Sequence, residues 1–286
     1  MGNTPGKRLI KGWLALLAVA LLPTAQAAEV PSTPLKVYAT ASPQGDIIKY
    51  VQKLAAADGS GLKLALTTSG GSGALDSYEL LANGDTDVVF TGHQPYVNAW
   101  KAAHPKLNNF DGKATVLVNA FGLYSVKYKT PQALPDGAKI LVPNEQTNLP
   151  RALFILQDLG LISLNVAHLD DSPAAIAVSE KSIVANPRHL QLIPTDTVLR
   201  AKALPDADAS FINGDVALSN GVDPAQALVR EHSTANPYAN LIYARNEQLQ
   251  DPRVALLAEY LTGAKVKAFI DEHYRGFVIA DQKLLR

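Results

Sequence analysis

Lys139-Ile140-Leu141-Val142 is a short apolar strand, Pro143-Asn144-Glu145-Gln146-Thr147-Asn148-Leu149 a polar loop, and Pro150-Arg151-Ala152-Leu153-Phe154-Ile155-Leu156-Gln157-Asp158-Leu159-Gly160 a helix with its stop. Pro150 suits a first turn, where the N–H it lacks has no partner anyway. Thr147 or Asn148 is placed to cap that turn, and Gly160 to end the helix. Strand, loop and helix in that order form the unit of a parallel α/β sheet. Arg151 sits in the first turn, where a cation opposes the helix dipole by about 0.3–1 kcal/mol. An anion docked on the free N–H groups and the guanidinium reverses that sign. Read alone, Arg151 is a solvated surface residue. Read with the rest of the chain, it becomes a clamp for a carboxylate.

The same unit recurs upstream. Leu35 to Ala39 reads as a strand, and Ser42-Pro43 opens a helix with Ile47, Val51 and Leu54 on one face. A second strand covers Leu62 to Leu66. A Gly/Ser cluster follows at 69–73, then a helical stretch through Leu75, Leu80 and Leu81, and a third strand at Asp87 to Phe90. Downstream, Ser210 to Ile212 and Leu241 to Ala244 are strand-like, and 253–261 and 264–274 are helical. Two βα runs are joined by a strand-rich connection, Phe121 to Lys129. The expected fold is α/β, with two lobes and a cleft between them. Residues 28–126 plus 236–286 form one lobe and 127–235 the other. Ligands of such sheets bind beyond the carboxyl ends of the strands.

The first 27 residues read as a cleaved signal peptide: Lys7, Arg8 and Lys11, an apolar run from Trp13 to Leu22, then Ala25-Gln26-Ala27. Without it the chain holds 23 Lys+Arg against 26 Asp+Glu, a balance of −3 that argues against a nucleic-acid partner. The chain has no Cys, which excludes thiol catalysis and Cys-based metal sites. It also leads to the expectation of a periplasmic protein with no lipid anchor.

Three further motifs carry polar residues at strand ends. His93-Gln94-Pro95-Tyr96 places an imidazole and a phenol in a loop, and Phe211-Ile212-Asn213-Gly214 ends in an amide. Tyr238-Ala239-Asn240 puts a second amide where Asn is unfavourable unless partnered. An Arg, two Asn, a His and a Tyr together meet a carboxylate, an ammonium and a short side chain. The histidines at 93, 104, 168, 189, 232 and 273 show no metal spacing, and no Gly-x-Ser-x-Gly elbow occurs. The Gly/Ser cluster lacks the Lys and Ser/Thr of a phosphate loop. No cofactor and no metal are expected.

Taken together, the chain resembles the NlpA-type family of methionine-binding components of ABC importers, from about Leu35 to the C-terminus. The similarity rests on Pro135-Asp136-Gly137, Val142-Pro143-Asn144, Thr147-Asn148-Leu149-x-Arg151, His93-x-Pro95-Tyr96 and Pro237-Tyr238-x-Asn240-Leu241-Ile242. It implies a type II-like, two-lobed periplasmic binding protein, a monomer that is not an enzyme and that serves an inner-membrane permease. It further implies that Arg151 holds the ligand carboxylate, that Asn213 and Asn240 bind the amino-acid head group, and that His93 and Tyr96 line the side-chain pocket. Thr91 and Asn148 complete the expected ligand-binding set. Three departures stand out: Thr91-Gly92 replaces an aromatic-Gln pair, Gly73-Ala74 replaces an Asp-Tyr pair, and the lipid-bearing Cys is missing. An aromatic wall contributes about 2–3 kcal/mol through burial and sulfur contact. The expected ligand is therefore methionine or a larger or more polar relative, with Phe90 swinging in as a substitute wall. Replacing Arg151 with Ala is expected to abolish binding and leave the fold intact. Two other readings stay open, a sensor with a diverged site and an enzyme using His93 as a base.

Overall fold

Leu35–Ala39 (β1), Asp46–Asp58 (α1), Leu64–Thr68 (β2), Ser77–Asn83 (α2), Val88–His93 (β3), Gln94–Ala103 (α3) and Phe110–Asn119 (β4) open the chain in a computed structural model. It describes residues 1–2, 30–69, 76–170, 172–223, 226–231 and 237–285. The expected signal peptide beyond its first two residues, the Gly/Ser cluster beyond Ser69, Ala74 and Asn236 lie outside these. β1 pairs in parallel with β2 and with β3. α1 buries Ile47, Ile48, Val51 and Ala55 against this sheet and ends at Gly59, whose φ of 69° favours glycine. Burying each large aliphatic side chain is worth about 1.5–3 kcal/mol.

At Ala120 the chain crosses to a second sheet. It continues through Phe121–Tyr124 (β5), Lys139–Pro143 (β6), Leu149–Asp158 (α4), Ser163–Leu164 (β7), Pro173–Ile176 (α5) and Ile183–Ala185 (β8). Gln191–Thr195 (β9), Thr197–Lys202 (α6), Ala209–Asn213 (β10), Gly214–Ser219 (α7) and Ala227–Arg230 (β11) complete this half. The chain then returns to the first sheet with Asn240–Arg245 (β12), Pro252–Leu261 (α8), Ala264–Tyr274 (α9) and Val278–Leu284 (β13). The strand orders are β13-β4-β12-β3-β1-β2 and β11-β5-β10-β6-β9, with β7 and β8 as a separate pair. The fold is α/β with two sheets, as the alternating pattern requires. β5 hydrogen-bonds in the second sheet, so a division at 126/127 separates it from its partners β10 and β11. The first crossing lies at Ala120.

β3 shows how one strand serves two cores. Val88 and Phe90 point into the layer with α1, α8 and α9, and Val89 into an aromatic layer with Tyr78, Trp100, Phe110 and Tyr243. Phe90 is sealed in the helix-side core and is not a substitute wall for the cleft. His93 and Tyr96 are not in a loop: β3 runs through His93, which starts α3, and Tyr96 lies in its first turn. β12 lies antiparallel to β3 with Asn240 opposite His93. The ends of β1, β3, β6 and β10 and the start of β12 thus face one crevice.

Candidate ligand-binding cleft

That crevice is a cleft of about 510 Å³, and it gathers residues from both sheets. Thr91, His93, Tyr96 and Asn240 enter from the first sheet, and Asn148, Arg151 and Asn213 from the second. All seven residues expected from sequence line it.

Arg151 is buried, not solvated. Its guanidinium lies 4.6 Å from the ring of Phe121 and 4.7 Å from that of Tyr238, a cation–π sandwich in a dry setting. Nε donates to Glu231 Oε2 at 3.2 Å, and Nη2 donates to Glu231 Oε1 and to Asn119 O at 3.0 Å. Glu231 thus takes the two-pronged face that the sequence assigns to a ligand carboxylate. Nη1, which reaches the side-chain Oδ1 of Asn148 at 3.4 Å, is the guanidinium nitrogen with no carboxylate or backbone carbonyl partner among the described residues.

The amides complete the donor set because their oxygens are already used. Asn148 occupies the N-cap position of α4 but makes no capping bond; its Oδ1 meets His93 Nε2 at 3.2 Å instead. Asn213 Oδ1 accepts from Arg200 Nη2 at 3.2 Å, and Asn240 Oδ1 from Gln44 Nε2 at 2.9 Å. Asn148 and Asn213 are left with their N–H2 groups for another acceptor, and Asn240, whose Nδ2 also donates to Tyr238 O at 3.5 Å, with one N–H. Arg200, fully buried, is itself held by Thr195 O, Thr197 Oγ1 and Glu145 Oε2 at 2.8, 3.0 and 3.2 Å. Burial lowers its pKa, which Glu145 opposes.

His93 is fixed in one tautomer. Nδ1 accepts the N–H of Tyr96 at 3.2 Å, so Nε2 carries the proton and donates to Asn148. Burial, and then the Arg151 charge, push its pKa down to about 3. It is a neutral brace between β3 and α4.

Comparisons with known proteins give the chain's family. The sequence model of the NlpA lipoprotein family matches residues 35–281. The chain belongs to the NlpA lipoprotein family. The methionine-binding lipoprotein MetQ of Bacillus subtilis is 30% identical over 283 residues, covering 96% of this chain and 98% of that protein. A nutrient-binding protein from Burkholderia cenocepacia, solved bound to methionine, superposes with a TM-score of 0.76 at 29% identity, covering 86% of this chain and 99% of the other. A periplasmic substrate-binding protein of an ABC transporter from Coxiella burnetii superposes with a TM-score of 0.75 at 27% identity, covering 86% and 100%. With its two sheets and this likeness, the chain has the α/β, two-lobed periplasmic binding protein fold expected from its sequence.

The family corrects one expectation. NlpA proteins are named lipoproteins, as are the relatives in Bacillus subtilis and Haemophilus influenzae. The expectation of no lipid anchor is therefore withdrawn. Its physical basis was narrow, since a missing thiol speaks to one attachment chemistry only.

In this NlpA chain the other end of the cleft is lined by Thr40, Asp76, Tyr78, Thr91, Gly92 and Tyr96. Thr40 Oγ1 donates to Thr91 Oγ1 at 2.8 Å, and the Tyr78 hydroxyl to Thr91 O at 3.0 Å. Gly92 has a φ of 68°, and a Cβ there would lie 2.1 Å from the Tyr78 hydroxyl. Tyr78 thus fills the space a side chain at 92 would claim, and brings an aromatic ring to the cleft that the sequence comparison counts as lost.

Sequence reasoning missed Tyr78, Gln44, Asn119, Arg200, Asp215 and Glu231. Tyr78 follows Asp76, whose side chain caps α2 through the N–H groups of Tyr78 and Glu79, and that cap was readable. Glu231 had no such signal. It lies between β11 and β12, in no motif.

Proposed function

We propose that this protein is the solute-binding component of an ABC importer, capturing a free α-amino acid, methionine or a relative, between its two lobes and passing it to a membrane permease. One observation carries the reading: the N–H2 groups of Asn148 and Asn213, the remaining N–H of Asn240 and the Nη1 of Arg151 converge on one cleft, with the amide oxygens already hydrogen-bonded. A carboxylate there accepts preorganised, partly charge-assisted bonds. In this reading the lobes divide at the two strand crossings, near Ala120 and between Arg230 and Asn240, and the protein acts as a monomer. Support also comes from the B. subtilis MetQ and the methionine-bound B. cenocepacia protein. His93 does not favour the enzyme reading, because both ring nitrogens are engaged and its pKa is about 3.

A thermal-shift panel of the protein amino acids tests the proposal, since a ligand that binds only the folded state stabilises it by RT ln(1+[L]/Kd). A shift of several degrees with methionine or a polar relative is expected. No shift with any amino acid at millimolar concentration removes the proposal.

A further inference from the structure

The cleft divides by hydrogen-bonding sense. The donors described above lie around Arg151, and acceptors of the opposite sense are contributed by Gln44, Asn119 and Asp215, which line the same cleft. Gln44 is 1% exposed; its Nε2 is spent on Asn240, and its Oε1 is sealed from water with no partner among the described residues. Asn119, 8% exposed, leaves its Oδ1 in the same condition while its backbone carbonyl takes Arg151. Asp215 accepts the N–H of Val216 at 2.9 Å through Oδ1, and no described residue bonds its other oxygen or forms an ion pair with it.

Buried acceptors without donors are costly and rare in native proteins unless something else completes them. Two such groups, Gln44 Oε1 and Asn119 Oδ1, share one cleft with the half-buried Asp215 carboxylate and call for a shared donor. Arg151 does not supply it, because Glu231 already neutralises that charge. A hard divalent cation needs six or more oxygens and usually several carboxylates, which this set lacks. An alkylammonium carries three N–H donors and one positive charge.

We propose that Gln44 Oε1, Asn119 Oδ1 and the Asp215 carboxylate form the seat of a protonated primary amine, the α-ammonium of the bound amino acid, with Asp215 as its counter-charge. The proposal rests on the solute-binding reading and goes further, since it makes a free, unblocked ammonium a condition of binding. Burial raises the pKa of Asp215, and an ammonium beside it favours the ionised form.

The test is calorimetry on the full chain, titrating each protein amino acid in turn and then the N-acetyl derivative of whichever binds most tightly. The same titrations are run on Asp215→Asn and Asn119→Leu, with circular dichroism and thermal unfolding confirming that each variant folds. N-acetylation is expected to abolish binding, and Asp215→Asn to weaken it about tenfold or more, as loss of a charge-assisted bond does. If the wild type binds an amino acid and its N-acetyl derivative equally well, the ammonium seat is wrong while the transport reading stands. Unchanged affinity in a folded Asp215→Asn protein overturns it in the same way. If no amino acid binds the wild type, the transport reading itself fails and this seat with it. The N-acetyl arm decides the matter even if neither variant folds.

Discussion

Glu231 lies on the guanidinium of Arg151, 80 residues away in sequence, and the two side chains are 8% and 2% exposed. Neither charge has water to return to if the other is removed. Breaking a buried pair by deleting one partner costs about 3–5 kcal/mol. The expectation that Arg151→Ala spares the fold is therefore replaced. That variant should lose about 3–5 kcal/mol, a large share of a typical domain's margin of about 5–15 kcal/mol, and Glu231→Ala should do the same. Urea unfolding followed by circular dichroism measures both. An Arg151→Ala midpoint within error of the wild type would show that the pair does not hold the two segments together. A joint Arg151→Met, Glu231→Leu protein removes both charges, so it should recover stability while binding stays lost.

The strands and helices that frame the cleft were legible because their signals are local. Ile140 to Val142 is an unbroken apolar run, Pro150 and Gly160 bracket α4, and the helices at 252–261 and 264–274 carry clear periodicity. Arg151, Asn213 and Asn240 were legible as site residues because each ends or follows such an element. What they bond to was not legible. Glu231, Arg200 and Gln44 reach their partners across 80, 13 and 196 residues of chain. No periodicity records a contact that only the folded sheets create. The misplacement of Phe90 has the opposite cause. Its strand was read correctly, but which face is helix-covered depends on α1, α8 and α9 packing over it.

His93 makes stability depend on pH in a defined window. Its folded pKa of about 3 lies below the ordinary value of 6.5. Above pH 6.5 the imidazole is neutral in both states and contributes nothing. Below it the unfolded chain takes up a proton that the folded chain refuses, so stability falls as pH drops from 6.5 towards 3 and levels off beneath. The slope from this one group approaches about 1.4 kcal/mol per pH unit. His93→Gln should flatten the curve by that amount in that window when unfolding free energies are compared from pH 7 to 4. Parallel curves for the two proteins would mean that His93 titrates normally. Ligand affinity in the wild type should be level between pH 6 and 8, because the brace to Asn148 stays neutral there.

Arg200 is a positioning residue. It turns Asn213 by holding its Oδ1 and ties that amide to the β6–α4 loop through Glu145. Lys keeps the charge but not the planar fork, so it cannot hold Thr195, Thr197, Glu145 and Asn213 together. Arg200→Lys should lower ligand affinity at least tenfold with a smaller loss of stability. Arg200→Met should cost about 3 kcal/mol, the lower end for a broken buried pair, because Glu145 keeps some contact with water. If Arg200→Lys weakens binding no more than it weakens folding, the residue is structural only.

Gly92 and Tyr78 offer a test of whether the two residues share one space. An alanine at 92 must keep a φ of 68°, which is unfavourable for an L-residue by about 1–2 kcal/mol. Its methyl group would also sit 2.1 Å from the Tyr78 hydroxyl. Tyr78 has little room to retreat: its ring stacks on Phe110 at 5.7 Å and meets Tyr243 edge-on at 5.9 Å. Gly92→Ala should therefore lose the hydroxyl's bond to Thr91 as well, for a total of about 2–3 kcal/mol. Tyr78→Phe alone forfeits only that bond, about 0.5–1.5 kcal/mol. In the double variant the hydroxyl is gone and the nearest ring carbon is 3.5 Å from the new methyl group, an ordinary contact. The pair should thus be less destabilised than the sum of the two single changes, by about 1 kcal/mol in a double-mutant cycle. Strict additivity would place the two side chains in separate spaces and return the aromatic wall of the cleft to an open position.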